Sequence, residues 1–194
     1  FVSRGLGDVY KRQDKIGSVE YVQHMGEDIT VVNSARVSFG KQKKEIDGRD
    51  KKLIQYLCRH KHTSTLEHNA VTFRFMVPLF VRSQHHRHRT WSYNEISRRY
   101  TDIDMKFYLP KKFRTQHESN RQASNIDNLI DPQAYPNFSL MRISELLEYK
   151  TTECMQTYET LIDAGVCREQ ARMILPQNMY TEYYGTCNLN NLLK

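Results

Sequence analysis

The sequence predicts an α+β fold in which a mixed or antiparallel sheet is flanked by helices. Residues 70–77 alternate apolar side chains on one face, a pattern typical of a half-buried strand. Residues 140–164 repeat apolar side chains at helical spacing, and Gly165 follows them as a stop signal. Strand and helix patterns do not alternate regularly along the chain, as they would in a parallel sheet built from βαβ units.

Three elements are expected before residue 70. The β-branched and aromatic run Val19–Met25 predicts a strand. A helix is expected over residues 28–37, because the carboxylate of Asp28 suits the N-cap position. A second helix is expected over residues 50–59. Its inward face should carry Leu53, Ile54 and Leu57.

The segment after the central strand is predicted to start as a helix and to end as a loop. Pro78 suits the first turn of a helix that continues to about Arg89. Gln84, Arg87 and His88 would then share one face. The remainder, to Tyr100, is predicted to be an ordered loop with a short extended piece.

The second half is predicted to be mostly helical after a polar excursion. Residues 107–109 predict a short strand, and residues 111–137 are polar enough to predict an irregular lid or surface insertion. A helix over 167–175 should end at Pro176, and residues 180–187 predict the last strand. Asn188 is expected to cap a terminal helix.

Composition and the chain ends set further expectations. Residues 1–13 show no periodicity and are interpreted as a non-native tail, disordered or packed without meaning. Residues 14–194 should form one domain that is incomplete at its C-terminus. The four scattered cysteines and the lack of a signal-peptide or membrane-span pattern favour a cytoplasmic protein without a membrane partner. The net charge of +7 indicates anionic ligands.

The stretch from Gln84 to Tyr100 carries the strongest chemical signal. It reads QHHRHRTWSYNEISRRY, with four arginines, three histidines and a single carboxylate, Glu95. Guanidinium groups suit phosphates and polarised carbonyls, and the interleaved aromatic rings offer stacking faces. The chain contains no glycine-rich phosphate loop and no GxSxG motif, so a nucleotide ligand would be held by side chains.

Two other interpretations stay open from the residues alone. A basic nucleic-acid-binding module would use the same arginines and rings for phosphate contact and stacking. A zinc site could use Cys58, His60 and His62, although their spacing lacks the paired ligands of common zinc motifs. We therefore expect no metal site.

The segment Arg87–Tyr100 resembles the motif RHRxxSxNxxSxRY of the flavin-dependent thymidylate synthase (ThyX) family. All eight fixed positions match: Arg87, His88, Arg89, Ser92, Asn94, Ser97, Arg99 and Tyr100. Other family segments follow in order: ARVSF at 35–39, the pattern formed by His62, Glu67 and His68, and AR-x-x-LP-x-N-x-Y at 171–180. The resemblance covers about nine tenths of the chain, from Ser18 to Lys194.

This resemblance implies an activity and a set of ligands. Members of the family make dTMP from dUMP, with 5,10-methylenetetrahydrofolate as carbon donor and FAD, reduced by NADPH, as hydride carrier. It also implies a ThyX-like α+β fold and a homotetramer whose sites are shared between subunits, with no nucleic-acid partner.

The resemblance also implies roles for individual residues. The catalytic residues would be Ser97, Arg99 and Arg172. The FAD-binding residues would be Ser38, His62, Ser64, Arg87, His88, Arg89, Glu95 and Asn188. The dUMP-binding residues would be Gln84, His85, His86, Arg87, Glu95, Ile96, Ser97, Arg98, Arg99 and Arg172. Cys167 is interpreted as structural, because the flavin would carry the difficult chemistry.

The sequence departs from the family pattern in three places. Ser83 stands where many relatives have arginine, and Ser64 stands where some have threonine. The family helix that begins near Asn188 continues to an arginine that would lie beyond Lys194. From this departure we expect the chain to bind FAD or dUMP weakly and to turn over slowly or not at all.

Overall fold

The computed structural model of the chain describes residues 10–11, 15–101 and 104–194. Its strands are β1 (Tyr10–Lys11), β2 (Ser18–Met25), β3 (Ala70–Pro78), β4 (Ser92–Glu95), β5 (Phe113–Gln116), β6 (Ser124–Ile130), β7 (Gln133–Ala134), β8 (Phe138–Arg142) and β9 (Tyr180–Asn188). Its α-helices are α1 (Asp28–Arg36), α2 (Gly48–Arg59), α3 (Leu79–His85), α4 (Ile143–Asp163), α5 (Arg168–Ala171) and α6 (Leu189–Leu192).

The described residues form two compact units. The first contains the described residues up to Val77 together with Val81–Ile96 and Thr181–Lys194. The second contains Pro78–Phe80 and Ser97–Tyr180. The single domain expected from chain length therefore stays a prediction.

The main sheet has five strands in the order β1-β2-β3-β9-β4. Strand β2 pairs antiparallel with β3, with Val19 opposite Phe75, and β4 pairs antiparallel with β9, with Tyr93 opposite Gly185. These elements confirm the predicted α+β class and the three strands predicted near residues 19–25, 70–77 and 180–187. Within the predicted tail, Tyr10 and Lys11 pair with β2; the rest of that tail lies outside the described residues, so its interpretation stays a prediction.

Both helices of the first unit start one or two residues earlier than the sequence predicted. Helix α1 has Glu27 rather than Asp28 at its N-cap, and the Glu27 N–H donates to the Thr30 hydroxyl at 3.1 Å. Helix α2 has Asp47 at its N-cap, where the carboxylate accepts from the amides of Arg49 and Asp50 at 2.8 and 3.0 Å. These reciprocal bonds satisfy orphan amides of the first turn.

Asp50, where the helix was expected to begin, is fully buried inside the first turn of α2. Its two carboxylate oxygens lie 2.5 Å from Lys43 Nζ and 2.6 Å from Arg36 Nη2. The hydrogen bond from Lys43 holds the pKa of Asp50 well below its usual range, and bonds from the Asp47 amide and Arg36 act in the same direction. The helix start is thereby tied to α1 and to the 41–47 loop.

The apolar core of the first unit lies between α1, α2 and the 3₁₀ turn Thr63–Leu66. Val31, Leu57 and Leu66 are buried there. Leu53 and Ile54 pack against them, which confirms the predicted inward face of α2. Leu189 of α6 packs on the same cluster, and its N–H donates to Asn69 O at 2.8 Å. Asn188 caps α6 as predicted, accepting from the Asn191 amide at 2.9 Å.

The second unit is built on α4, whose buried Tyr158 packs with Ala171, Leu175 and Met179. Helix α4 begins at Ile143 rather than at residue 140, because Pro132 O and the Asp131 carboxylate take the first helical amides at 3.0 Å each. The helix predicted over 167–175 is α5 followed by a 3₁₀ turn, Arg172–Ile174. Residues 107–109 contribute one bridge, from Phe107 to Met179, rather than a strand.

The irregular excursion predicted over residues 111–137 is wrong in part. Strands β5 and β6 form an antiparallel hairpin, with Phe113 opposite Ile130, and β7 pairs with β8. Both hairpins are largely solvent-exposed, so they lack the apolar alternation that would have revealed them. The β5–β6 pair is held by its backbone ladder and by amide side chains, such as Asn125 Nδ2, which donates to Gln116 O at 3.2 Å.

Candidate functional site

Helix α3 ends at His85, so the predicted helical face of Gln84, Arg87 and His88 does not form. A turn follows instead, in which the amides of Arg87 and His88 donate to Gln84 O at 3.1 Å and His85 O at 3.0 Å. The Trp91 amide donates to His88 O at 3.3 Å. This RHR turn, residues 85–91, presents Arg87, His88 and Arg89 as exposed side chains.

Strand β4 continues from the RHR turn and divides its side chains between two faces. Ser92 and Asn94 are exposed, whereas Tyr93 and Glu95 are half-buried. The extended piece predicted within this stretch is therefore a strand of the main sheet. Its pairing continues past Glu95, where the Ile96 amide donates to Glu182 O at 2.9 Å.

The single carboxylate of this stretch is paired with a residue that the sequence analysis missed. Glu95 Oε1 accepts from Arg82 Nε at 3.0 Å and from the Thr181 hydroxyl at 2.6 Å. Among the described residues, neither Arg87 nor Arg89 forms a salt bridge. The pairing of Arg82, Glu95 and Thr181 joins positions 13 and 86 residues apart, so spacing alone gave no signal for it.

The RHR turn packs on an aromatic cluster formed with tyrosines of β4 and β9. Tyr183, at 1% exposure, places its hydroxyl 2.8 Å from His85 Nδ1. The His86 ring stacks on Tyr93 with centroids 4.0 Å apart. The Tyr93 hydroxyl donates to His85 O and His88 O at 2.9 and 3.1 Å. From the sequence, Tyr93 was expected only to offer a stacking face, and Tyr183 was not singled out.

Burial shifts the pKa values of the histidines and of Tyr183 in this cluster. It lowers the pKa of His85, with the charges of His88 and His86 acting in the same direction. Burial also lowers the pKa of His86, helped by Arg82 and opposed by Glu95. It raises the pKa of Tyr183, so the phenol remains protonated and can donate to a neutral His85.

The remaining FAD-binding candidates of the first unit sit on short turns. Ser38 is exposed in the 3₁₀ turn Val37–Phe39, and His62 and Ser64 are exposed at and within the turn Thr63–Leu66. Asn188 is half-buried, and its side-chain oxygen already caps α6. The turn Thr63–Leu66 contacts both α1 and α6. The structure thus places Ser64 on a turn that contacts α6, the helix capped by Asn188, and α1, the helix that precedes the Ser38 turn.

Four of the dUMP-binding candidates belong to the second unit. Ser97 Oγ accepts from the Arg99 amide at 3.3 Å. The Arg99 guanidinium donates to the Tyr100 hydroxyl at 3.0 Å and lies 5.1 Å from the centre of that ring. Arg98 is buried, whereas Arg172 is exposed and donates to Glu169 O at 3.3 Å.

The two histidines of the hypothetical zinc site pack against an aromatic ring. The rings of His60 and His62 both pack on Tyr56, at centroid distances of 4.2 and 6.1 Å. No three His, Cys, Asp or Glu side chains within the described ranges are arranged to hold a metal ion. All four cysteines are free thiols.

Comparison with known proteins identifies the family. The family profile described as "Thymidylate synthase complementing protein" matches residues 20–194. A flavin-dependent thymidylate synthase from Thermotoga neapolitana is 38% identical over 177 residues, which cover 91% of this chain and 73% of that protein. This chain belongs to the flavin-dependent thymidylate synthase family. Membership supports the enzyme interpretation rather than the nucleic-acid-binding module.

A second flavin-dependent thymidylate synthase is also similar in sequence to this chain but is considerably longer. The enzyme from Thermus thermophilus is 43% identical over 176 residues, which make up 91% of this chain but 61% of that protein. The chain thus spans about three fifths of the length of that relative.

A solved structure of this fold carries a nucleotide. The UMP/dUMP methylase PolB from Streptomyces cacaoi, crystallised with 5-Br dUMP, superimposes with a TM-score of 0.71 at 30% identity. The match covers 96% of this chain and 76% of PolB. Within the described part of this chain, none of the helices has the length and apolar character that crossing a membrane requires.

Proposed function

We propose that this chain contributes to the reductive methylation of dUMP to dTMP, with 5,10-methylenetetrahydrofolate as carbon donor and FAD, reduced by NADPH, as hydride carrier. One observation carries the proposal: the RHR turn exposes Arg87 and Arg89 while the neighbouring carboxylate, Glu95, is paired with Arg82. Two guanidinium groups without an acidic partner among the described residues are suited to an anionic ligand.

The residues of the first unit fit FAD, whose pyrophosphate is anionic and whose ring offers polar edges. Arg87 and Arg89 would neutralise the negative charge, and His88, Ser38, His62 and Ser64 would donate to or accept from polar edges. Asn188 would use its amide N–H groups, because its oxygen is engaged in the helix cap. FAD would supply hydride transfer, for which no protein side chain is a substitute.

The residues assigned to dUMP fit a phosphate and a uracil ring. Arg99 is held against Tyr100 and starts a turn with Ser97, so its guanidinium is oriented before the ligand binds. Arg98, Arg99 and Arg172 would take the phosphate and the pyrimidine oxygens, and Ser97 would contact the ring. The family resemblance also assigns to dUMP six residues of the first unit: Gln84, His85, His86, Arg87, Glu95 and Ile96. PolB, which was crystallised with a brominated dUMP, supports this ligand class.

The assembly and its setting follow the same proposal. Residues of separate segments must meet around two ligands, and we propose a homotetramer with shared sites as the arrangement that achieves this. Four free thiols support a reducing, cytoplasmic compartment.

The activity is tested by release of tritium from 5-labelled dUMP in the presence of FAD, NADPH and methylenetetrahydrofolate. We expect a slow release that requires all three and falls about a further 30-fold in Arg99→Ala, because one phosphate fork contributes about 2 kcal/mol. Arg114→Ala, which changes an exposed arginine of β5, is the matched control. Release that ignores the folate or survives Arg99→Ala would count against the proposal.

A further inference from the structure

The RHR turn has few structural supports of its own. It lies beyond the end of α3, and its backbone is closed by single bonds from the amides of Arg87, His88 and Trp91. Such isolated turns open more readily than helices. The exposed arginines nevertheless need a fixed direction, since a misplaced guanidinium loses the two-pronged geometry that makes it effective.

One side chain bridges both halves of this turn. The Tyr93 hydroxyl lies 2.9 Å from His85 O and 3.1 Å from His88 O. A phenol has a single proton, so the two contacts form one three-centre hydrogen bond. The carbonyls that flank Arg87 are thereby clamped to a common point.

Tyr93 is itself rigidly held. It stands in β4 opposite Gly185 of β9, with its ring stacked on His86 at 4.0 Å. The buried ring of Tyr183 meets it edge-on at 5.9 Å. Burial raises the pKa of Tyr93, so its hydroxyl keeps the donated proton. Tyr93 is therefore held in place by the sheet and not by the turn to which its hydroxyl is bonded.

We propose that Tyr93 is a positioning residue, whose hydroxyl clamps the RHR turn and so aims Arg87, His88 and Arg89 at the flavin cofactor. This inference rests on the proposed function. Both carbonyls keep their amide donors when the hydroxyl is removed, so Tyr93→Phe loosens the turn without unfolding it. The phenyl ring can still stack on His86.

The test compares wild type, Tyr93→Phe and the control Tyr184→Phe, which changes an exposed tyrosine of β9. FAD affinity, followed by quenching of FAD fluorescence, should weaken about fivefold to tenfold in Tyr93→Phe, the equivalent of one net hydrogen bond. It should stay within twofold of wild type, roughly the noise of such a comparison, in Tyr184→Phe.

Hydrogen exchange provides a readout that a merely structural role would not give. The amides of His88 and Trp91, which share the clamped carbonyls, should exchange faster in Tyr93→Phe. The Ile96 amide, bonded to Glu182 O in the adjoining sheet, should be unchanged. A uniform increase across the protein would indicate general destabilisation and overturn the inference.

The outcomes separate this inference from the proposed function. If wild type binds FAD and Tyr93→Phe binds it equally well, the positioning role is wrong and the proposed function stands. If wild type has no affinity for FAD, the proposed function fails, and the positioning role fails with it.

Discussion

Arg82 Nε lies 3.0 Å from Glu95 Oε1, and the buried hydroxyl of Thr181 donates to the same oxygen. The Glu95 carboxylate is therefore bonded to one residue of α3 and one residue of β9. Its pairing leaves Arg87 and Arg89 free of an acidic neighbour among the described residues, which is the property that an anion site needs.

Glu95→Gln should destabilise the protein by about 1–2 kcal/mol at pH 7, because the amide weakens a charge-assisted bond that is partly screened by solvent. Urea denaturation measures this change in the free energy of unfolding. Glu118→Gln, an exposed change in the β5–β6 hairpin, should have almost no effect. An unchanged urea midpoint in Glu95→Gln would show that the negative charge of Glu95 does not strengthen its bonds from Arg82 and Thr181.

Gly185→Ala should destabilise the sheet by about 1–3 kcal/mol through overpacking. A Cβ at this position would lie 2.9 Å from the Phe75 ring and 3.2 Å from the Trp91 ring. Thermal unfolding should show a lower midpoint, whereas Gly48→Ala, whose added carbon meets nothing within 4 Å, should not lower it comparably. Equal midpoints for the two variants would contradict the close ring packing.

Asp50→Asn should reduce the unfolding free energy at pH 7, since Lys43 and Arg36 would lose their shared carboxylate. The folded pKa of Asp50 lies below its ordinary value of 3.8, so the wild-type contribution is complete above that pH and is lost as pH falls below it. The difference between wild type and variant should therefore shrink on acidification below pH 3.8. A difference that persists at low pH would indicate packing rather than charge as its origin.

His85 should resist protonation in the folded state, because burial lowers its pKa below 6.5. The unfolded chain binds the proton more readily, so stability is complete above pH 6.5 and declines as pH falls below it. His86, Arg82 and Glu95 face the same cluster, and His86 contributes in the same direction. His85→Gln should flatten the pH dependence of the urea midpoint; the exposed His68→Gln should leave it as in wild type.

Sequence patterns correctly predicted those helices and strands whose local sequence and packing in the fold favour the same structure. The inward face of α2 is an example, because its apolar spacing is also its packing pattern. The strand near Ala70–Val77 formed as predicted, although both of its faces are half-buried as far as Met76. The start of α2 was placed two residues too late, because Asp47 and Asp50 both suit the beginning of a helix. Only their reciprocal bonds decide between them.

The motif selected the candidate site residues, whose roles stay predictions, but it carried no signal for the partners that the fold brings to them. The end of α3 at His85 depends on a hydroxyl from β4, and the role of Glu95 depends on Arg82 and Thr181. The β5–β6 hairpin was missed for a different reason. Strand β6 is exposed at every position except Asn125, and β5 is too short to show an apolar period.

The most direct test of the account is a titration of the purified chain with FAD, with and without dUMP, in wild type and in Arg87→Ala. We expect saturable quenching of FAD fluorescence in wild type and an affinity about tenfold or more weaker in Arg87→Ala, because a charge-assisted fork to the anionic cofactor is lost. Arg114→Ala should match wild type. Saturable binding that is identical in Arg87→Ala, or no binding in wild type, would contradict the assignment of the RHR turn to the flavin.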